Sequence, residues 1–384
     1  MNCESIAQDL LAQCIAGNAP AHLPRELLSP ECARALFGIF VEGLGDRFEP
    51  VLCDAYADLF SQAIDPAGAR DLAARYRRIR MPRRATARPD RILVLSRVTL
   101  GADVAVTSVV LNAAKQAYPD AQIVFAGPAK NFELFAGDPR LTHARIEYRR
   151  GTLAERLSVW EHLKPLATPG TLVLDPDSRL TQLGLLPLGD ESNYHLFESR
   201  SYGGDGNENL PALAARWSAE TLGTVSPRPY IALTPPPERT QPYIAVSFGV
   251  GENPAKRIPG DFETYLLSLL AAKAPLIVDR GAGGEEAERV ERAAAQSGAD
   301  VTFWDGSFAG FARIIAGSSL YVGYDSAGQH VAAACGLPLV TIFAGFPAER
   351  MFHRWRPGGP STAVIRVDRP DPVGILDQVA EAIA

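Results

Sequence analysis

Apolar residues in the first eighty positions recur at helical spacing. Ile6, Leu10, Leu11 and Cys14 share one face, Leu36, Phe37, Phe40 and Val41 repeat the pattern, and Pro30 and Pro50 punctuate the run. Almost nothing there alternates with period two, so residues 1–80 are expected to be an all-helical module. From Arg91 the texture changes. The run 91–96 (RILVLS) is short, apolar and β-rich, as in a parallel strand buried on both faces, and a Gly-containing turn and a helical stretch over 104–117 follow it. Further strands are expected at 121–127 and 171–175, then at 243–249, 275–279, 300–304, 319–323 and 337–343, with helical segments between them and a terminal amphipathic helix from Pro372. Strand, helix, strand at this spacing means βαβ units and parallel sheets.

The predicted organisation is a helical module (1–80), an Arg/Pro-rich connector (81–90), a first Rossmann-like domain (91–228), a linker (229–242) with the run Pro235, Pro236, Pro237, and a second Rossmann-like domain (243–384). The last helix is an element able to pack back on the first half. The fold class is α/β, with two Rossmann-like domains facing a cleft, where ligands meet the carboxyl ends of the strands.

Composition narrows the function. With 384 residues, 47% hydrophobic and 21% charged, the chain is long enough to bury its core and is neither disordered nor fibrous. A net charge of −6 argues against a nucleic-acid partner. The first residues lack the basic start of a secretory signal, and no window reaches the ~18–20 apolar residues of a membrane span, so a cytoplasmic protein is expected, with peripheral contact at the inner membrane face as the alternative. The five cysteines include no C-x-x-C pair and no histidine at zinc spacing, and are expected to be reduced, buried hydrophobes. Between Arg70 and Arg91 nine arginines face only Asp71 and Asp90: either a solvated helix end or a patch for an anionic acceptor or membrane.

Four strand ends carry candidate chemistry. After the strand ending at Gly323 come Asp325, Ser326, Ala327, Gly328, Gln329 and His330, before an Ala-rich helix whose free N–H groups suit a phosphate. Asp325 or Ser326 equally serves as a simple N-cap, and His330 as a core histidine. After 243–249, Gly249 and Gly251 make a loop that lets backbone approach a ligand, and Lys256-Arg257 can neutralise a diphosphate or simply face solvent. This is not a Walker loop. After 275–279, Glu285 and Glu286 either favour a helix dipole or bind a ribose. After 91–96, Asp103 is a candidate general base or a helix cap. Asp175-Pro176-Asp177 is a D-x-D, read as a strand end with Asp177 and Arg179 on the acceptor side rather than as a metal site. The polar stretch 192–209 is read as an acceptor loop or as a mobile loop with no such role.

Taken together, these segments resemble the heptosyltransferase family, glycosyltransferase family 9. Arg97, Asp103 and Thr107 keep the family's R-x-G-x-x-G-D-x-x-x-T spacing, although of its two loop glycines only Gly101 is present, shifted by one. Residues 256–262 are similar to K-x-W-P-x-E-x-F with Ile258 in place of Trp, and residues 323–343 match G-x-D-[ST]-G-x-x-H with Ala327 in place of glycine. The resemblance spans Arg91 to the end and leaves the helical module outside it.

It implies a GT-B glycosyltransferase with inverting, metal-independent chemistry that needs no cofactor beyond a nucleotide-sugar donor, with ADP-heptose leading. Asp103 would deprotonate the acceptor hydroxyl. Lys256, helped by Arg257, would stabilise the leaving diphosphate, held by the amides of Ser326 to Gln329 with Asp325 and His330 fixing that loop. Glu285 or Glu286 would contact the ribose, and Arg97, Thr99, Asp177, Arg179, Arg200 and Tyr202 would lie on the acceptor side. The acceptor would be a glycolipid, a protein or a small molecule, and residues 1–80 would serve acceptor recognition or homo-oligomerisation. The alternatives are a sugar-nucleotide epimerase of the same architecture and an inactive nucleotide-sugar-binding scaffold.

Overall fold

The structure is a computed structural model that describes residues 2–65, 67–68, 70–233, 242–251 and 253–384. The proline run 235–237 lies outside the described residues. The chain forms two compact units: Met1–Phe132, Pro139–Arg228 and Pro347–Arg354 in the first, and Glu133–Asp138, Pro229–Phe346 and Trp355–Ala384 in the second.

The first unit holds a five-stranded parallel sheet in the order β3-β2-β1-β4-β5, from Leu141–Arg145, Gln122–Gly127, Arg91–Leu95, Leu172–Asp175 and Tyr194–Leu196. The central strands are the apolar runs read from the sequence: β1 and β4 are buried almost throughout, as a sheet covered on both faces requires. Edge strands β3 and β5 were not anticipated, because LTHAR is half polar and YHL is three residues long. Strand β5 falls within the stretch read as an acceptor loop, and Phe197, Glu198, Ser199 and Arg200 after it are buried. The remainder of that stretch is tied down by Arg350, which donates to the Phe48 and Gly204 carbonyls, and by Arg354, which donates to those of Gly204 and Glu208.

The helical segment shares the core of this sheet. Helices Cys3–Ile15, Pro50–Ile64 and Leu72–Ile79 contribute Leu10, Phe60 and Tyr76 to one apolar cluster with Leu93, Leu95, Val173 and Tyr194. The arginines that follow are largely consumed in holding it. Arg75 donates to the Gly184 carbonyl and lies over the Tyr194 ring, Arg77 pairs with Asp58, and Arg80 with Asp54. Arg83 covers the edge of β5 by donating to the Tyr194 carbonyl, and Arg84 donates to that of Ala219. The sequence alone left this stretch open as a patch for an anionic partner; in the structure Arg75, Arg77, Arg80, Arg83 and Arg84 each engage groups of the unit itself, while Arg78 and Arg88 stay exposed.

The second unit holds a six-stranded parallel sheet in the order β11-β10-β9-β6-β7-β8, from Thr362–Arg366, Leu339–Phe343, Leu320–Tyr324, Ile244–Ser247, Leu276–Asp279 and Val301–Trp304. The edge strand β11 was missed. The last helix, Pro372–Ala382, packs on helix Phe262–Ala271 of this same unit; the late segment grouped with the first unit is 347–354.

Cys3 and Cys32, read from the sequence as reduced thiols, form a disulfide with Cα atoms 5.3 Å apart. Their separation of 29 positions carries no signature that would have revealed it. Cys14, Cys53 and Cys335 are free. Thiol titration of the unfolded, unreduced chain should therefore count the three free cysteines. Reduction should add two more and cost about 2–4 kcal/mol of stability, read by thermal denaturation. Five thiols without reductant would contradict the pairing.

Candidate active site

In both sheets the strand order reverses once, between β1 and β4 in the first and between β6 and β9 in the second. At such a point the connections leave toward opposite faces and open a crevice at the carboxyl ends of the two strands, where ligands bind in doubly wound folds. Of the residues singled out from the sequence, Asp103 and Asp177 follow β1 and β4, and Lys256 and Asp325 follow β6 and β9, while Glu285 and Glu286 follow β7 and Arg200 and Tyr202 follow β5.

In the first unit, Asp103 follows β1 in a helix whose first turns run Leu100–Ala102 and then widen into a π-type turn over Asp103–Thr107. Its side chain is fully buried and caps nothing. Oδ1 accepts from the Arg97 amide (2.7 Å) and Thr107 Oγ1 (2.6 Å), and Oδ2 from Ser96 Oγ (2.6 Å) and Asn131 Nδ2 (2.6 Å). Burial pushes its pKa up, and the hydrogen bonds from Ser96, Thr107, the Arg97 amide and Asn131 oppose that rise. The turn before it is strained. Val98, a β-branched residue, sits at φ 74°.

Across the reversal, Asp177 follows β4 at φ 66°, also left-handed. It accepts from Ser199 Oγ (2.8 Å) and Arg200 Nε (3.1 Å), and Arg97 Nη1 donates to that same Ser199 hydroxyl (2.8 Å) and to the Pro176 carbonyl (2.7 Å). Arg97, Asp103, Asp177 and Arg200 thus form one connected group. Asp177 and Arg200, expected to face an acceptor, are buried instead, because each charge neutralises the other. Arg179 is half-buried against Glu42 (2.9 Å), and Tyr202 is held by Phe197 and Arg216. Thr99 precedes the first turn, and its carbonyl accepts from the Asp103 amide. The D-x-D aspartate Asp175 accepts from the Ser178 amide (2.6 Å), Thr181 Oγ1 (2.5 Å) and the Tyr194 hydroxyl. Burial raises its pKa to about 6.

In the second unit, Lys256 ends a short turn, Pro254–Lys256, that packs against Gly345; a Cβ there would come within 2.6 Å of the Ala255 carbonyl. Lys256 Nζ donates to Asp325 Oδ2 (2.5 Å) and to the Asp325 carbonyl (3.2 Å). The other Asp325 oxygen accepts from Gln329 Nε2, and Thr341 Oγ1 of β10 donates to Gln329 Oε1 (2.7 Å). Asp325 is therefore no N-cap. Ser326 occupies the cap position of helix Ala327–Ala334 in extended conformation, with no side-chain bond to the first-turn amides. Those donors and the adjacent ammonium can stabilise an anion. Gly328 has no room for a side chain, since Tyr321 lies directly under it.

Gln329, rather than His330, holds the Asp325 carboxylate. His330 is buried beside Trp355, and burial lowers its pKa to about 4, so the imidazole is neutral near pH 7. Glu286 faces the Gly249 loop, where a Cβ on Gly249 would lie 3.3 Å from Oε1, while Glu285 is exposed. Gly251 takes φ 61°, a left-handed turn that favours glycine. Arg257 Nε is buried and meets no acceptor.

The sequence reading missed Ser96, Asn131, Ser199 and Thr341. Ser96 is a polar residue closing an apolar run, a readable signal; Asn131, Ser199 and Thr341 come from other elements and had none.

Two doubly wound parallel sheets in successive units are the α/β architecture of the GT-B fold. Residues 224–372, most of the second unit, match the glycosyltransferase family 9 (heptosyltransferase) model. No curated protein matches it by sequence. Among solved structures, a glycosyl transferase family 9 protein from Veillonella parvula is similar with TM-score 0.56 at 14% identity, over 75% of this chain and 88% of that one. The E. coli heptosyltransferase WaaC with ADP gives 0.55 at 16%, over 76% and 99%. E. coli ADP-heptose lps heptosyltransferase II gives 0.54 at 19%, over 76% and 98%. At these identities the likeness is one of fold.

The Asp325–Gln329–Thr341 chain yields a prediction. Gln329→Ala leaves two buried oxygens without their partner and should cost about 1–3 kcal/mol in urea unfolding. An unchanged midpoint would mean the chain holds nothing in place.

Proposed function

We propose that the protein transfers a sugar from a nucleotide donor, with ADP-heptose as the leading candidate, to an acceptor hydroxyl with inversion and without a metal. The observation that carries this reading is the Lys256–Asp325 pair at the uncapped start of helix Ala327–Ala334, beside the β6–β9 reversal. In the reaction, the acceptor oxygen attacks the anomeric carbon, the bond from that carbon to the diphosphate breaks, and the nucleoside diphosphate departs with the electron pair. Lys256, the half-buried Arg257 and the amides of residues 326–329 would take up the charge that develops on it, which is the role a metal fills elsewhere. Glu286 is the better placed of the two glutamates for the ribose. That the E. coli heptosyltransferase WaaC has been solved with ADP and with ADP-2-deoxy-2-fluoro heptose supports an adenine nucleotide.

Asp103 would accept the acceptor's proton. To do so it must give up one donor, and the Ser96 and Thr107 hydroxyls, which turn about a single bond, can release it more readily than the Arg97 amide. The acceptor is a glycolipid, a protein or a small metabolite. Among the described residues no helix is long and apolar enough to cross a membrane. A cytoplasmic placement is set against the Cys3–Cys32 disulfide, a bond kept mainly in oxidising compartments.

A second reading, nucleotide-sugar binding without transfer, is favoured by the complete satisfaction of Asp103 by four donors.

Thermal denaturation with ADP, UDP, GDP and dTDP sugars separates these readings. A donor nucleotide should raise the midpoint, and Lys256→Ala should reduce that rise. Asp103→Asn should keep the rise and lower sugar transfer by about 100-fold or more. Stabilisation with transfer unaffected by Asp103→Asn would remove Asp103 as the base, and a midpoint unmoved by every nucleotide would defeat the donor assignment. Turnover of donor alone, with no acceptor, would indicate an epimerase.

A further inference from the structure

Helical residues 1–80 lie outside the family resemblance, yet a continuous set of hydrogen bonds runs from them to Asp103. Tyr76, on helix Leu72–Ile79, is fully buried, and its hydroxyl accepts from Arg200 Nη2 (3.1 Å). Arg200 Nε donates to Asp177 Oδ2 (3.1 Å), which also accepts from Ser199 Oγ (2.8 Å). That hydroxyl accepts from Arg97 Nη1 (2.8 Å), and the backbone N–H of the same Arg97 donates to Asp103 Oδ1 (2.7 Å). Helix Pro50–Ile64 encloses the middle of this path. The Tyr56 ring lies under the Arg200 guanidinium, 5.1 Å from its centroid, and the Tyr56 hydroxyl donates to the carbonyl of Gln182, a residue at φ 50°.

We propose that the helical segment is a positioning part of the acceptor half: through Tyr76, Arg200 and Ser199 it fixes Arg97, and with it the amide that holds the Asp103 carboxylate. The catalytic weight of this inference rests on the reading of Asp103 as the group that takes the acceptor's proton. Strain makes such an anchor necessary. Val98 and Asp177 flank Arg97 and Ser199 in left-handed conformations that persist only where surrounding contacts over-determine them. Tyr76 supplies a contact from outside both strand-end turns.

The consequence has a sign. An N–H donated to an ionised carboxylate favours the charged form, so loosening Arg97 raises the Asp103 pKa. The other groups facing Asp103 are Ser96, Thr107 and Asn131, all neutral, and the charge that acts on it is the Arg97 guanidinium, itself influenced by Asp177, Arg179 and Arg200.

The test uses the full chain with its aspartate carboxyl carbons labelled, the Asp103 signal being assigned by its loss in Asp103→Asn. In Tyr76→Phe, which keeps the buried ring, and in Ser199→Ala, the Asp103 inflection should move upward by about half a pH unit or more. The rise in thermal midpoint given by ADP, a property of the second unit, should stay as in the wild type. A merely structural tyrosine would lower the unfolding midpoint and leave the inflection where it was. An Asp103 inflection unmoved in a folded Tyr76→Phe, or in Ser199→Ala should the first variant not fold, overturns the proposal. If the inflection moves while turnover of ADP-heptose survives Asp103→Asn, the positioning path stands and the reading of Asp103 as base falls.

Discussion

A parallel sheet whose strand order reverses once gathers its carboxyl-end loops where the covering helices diverge, and each unit of this protein must fill that gap without leaving buried charge uncompensated. The two units meet this constraint differently. In the first, Asp103, Asp175 and Asp177 are buried, and each is met by several donors. In the second, one carboxylate, Asp325, is met by one lysine and one glutamine, and the helix start beside it keeps its amides free of a side-chain cap. The first gap is filled by the protein itself. The second leaves its helix start without a side-chain cap, which is where the proposed diphosphate would sit.

The helical segment belongs to the first solution. Its apolar face is continuous with the core of the sheet, its arginines bind the carbonyls of neighbouring turns, and its two buried tyrosines close around Arg200. A buried guanidinium against a buried carboxylate specifies geometry more than it adds stability, since removing either partner strands the other.

Much of this was legible in the sequence. The eight apolar runs became the interior strands and β8, because a strand buried on both faces leaves an uninterrupted hydrophobic record. The missed strands, LTHAR, YHL and TAVIR, lie at sheet edges, where one side is relieved of that demand. Asp103, Lys256 and Asp325 were readable as candidates because each lies in the segment that follows a strand. What the sequence did not disclose was partnership: that Gln329 and not His330 holds Asp325, that Asn131 reaches Asp103 from another element, that Asp177 and Arg200 consume each other, and that Cys3 meets Cys32. Such pairings depend on how distant segments fold together, and spacing along the chain does not encode them.

The proposed chemistry requires the second unit to bind a nucleoside diphosphate at the start of helix Ala327–Ala334. Hydrogen–deuterium exchange of the full chain with and without ADP tests this directly. Bound ADP should slow exchange at the amides of residues 326–329 and in the loop around Gly249 and Gly251. Slowing that spares both segments, or none under conditions where ADP raises the thermal midpoint, would contradict it.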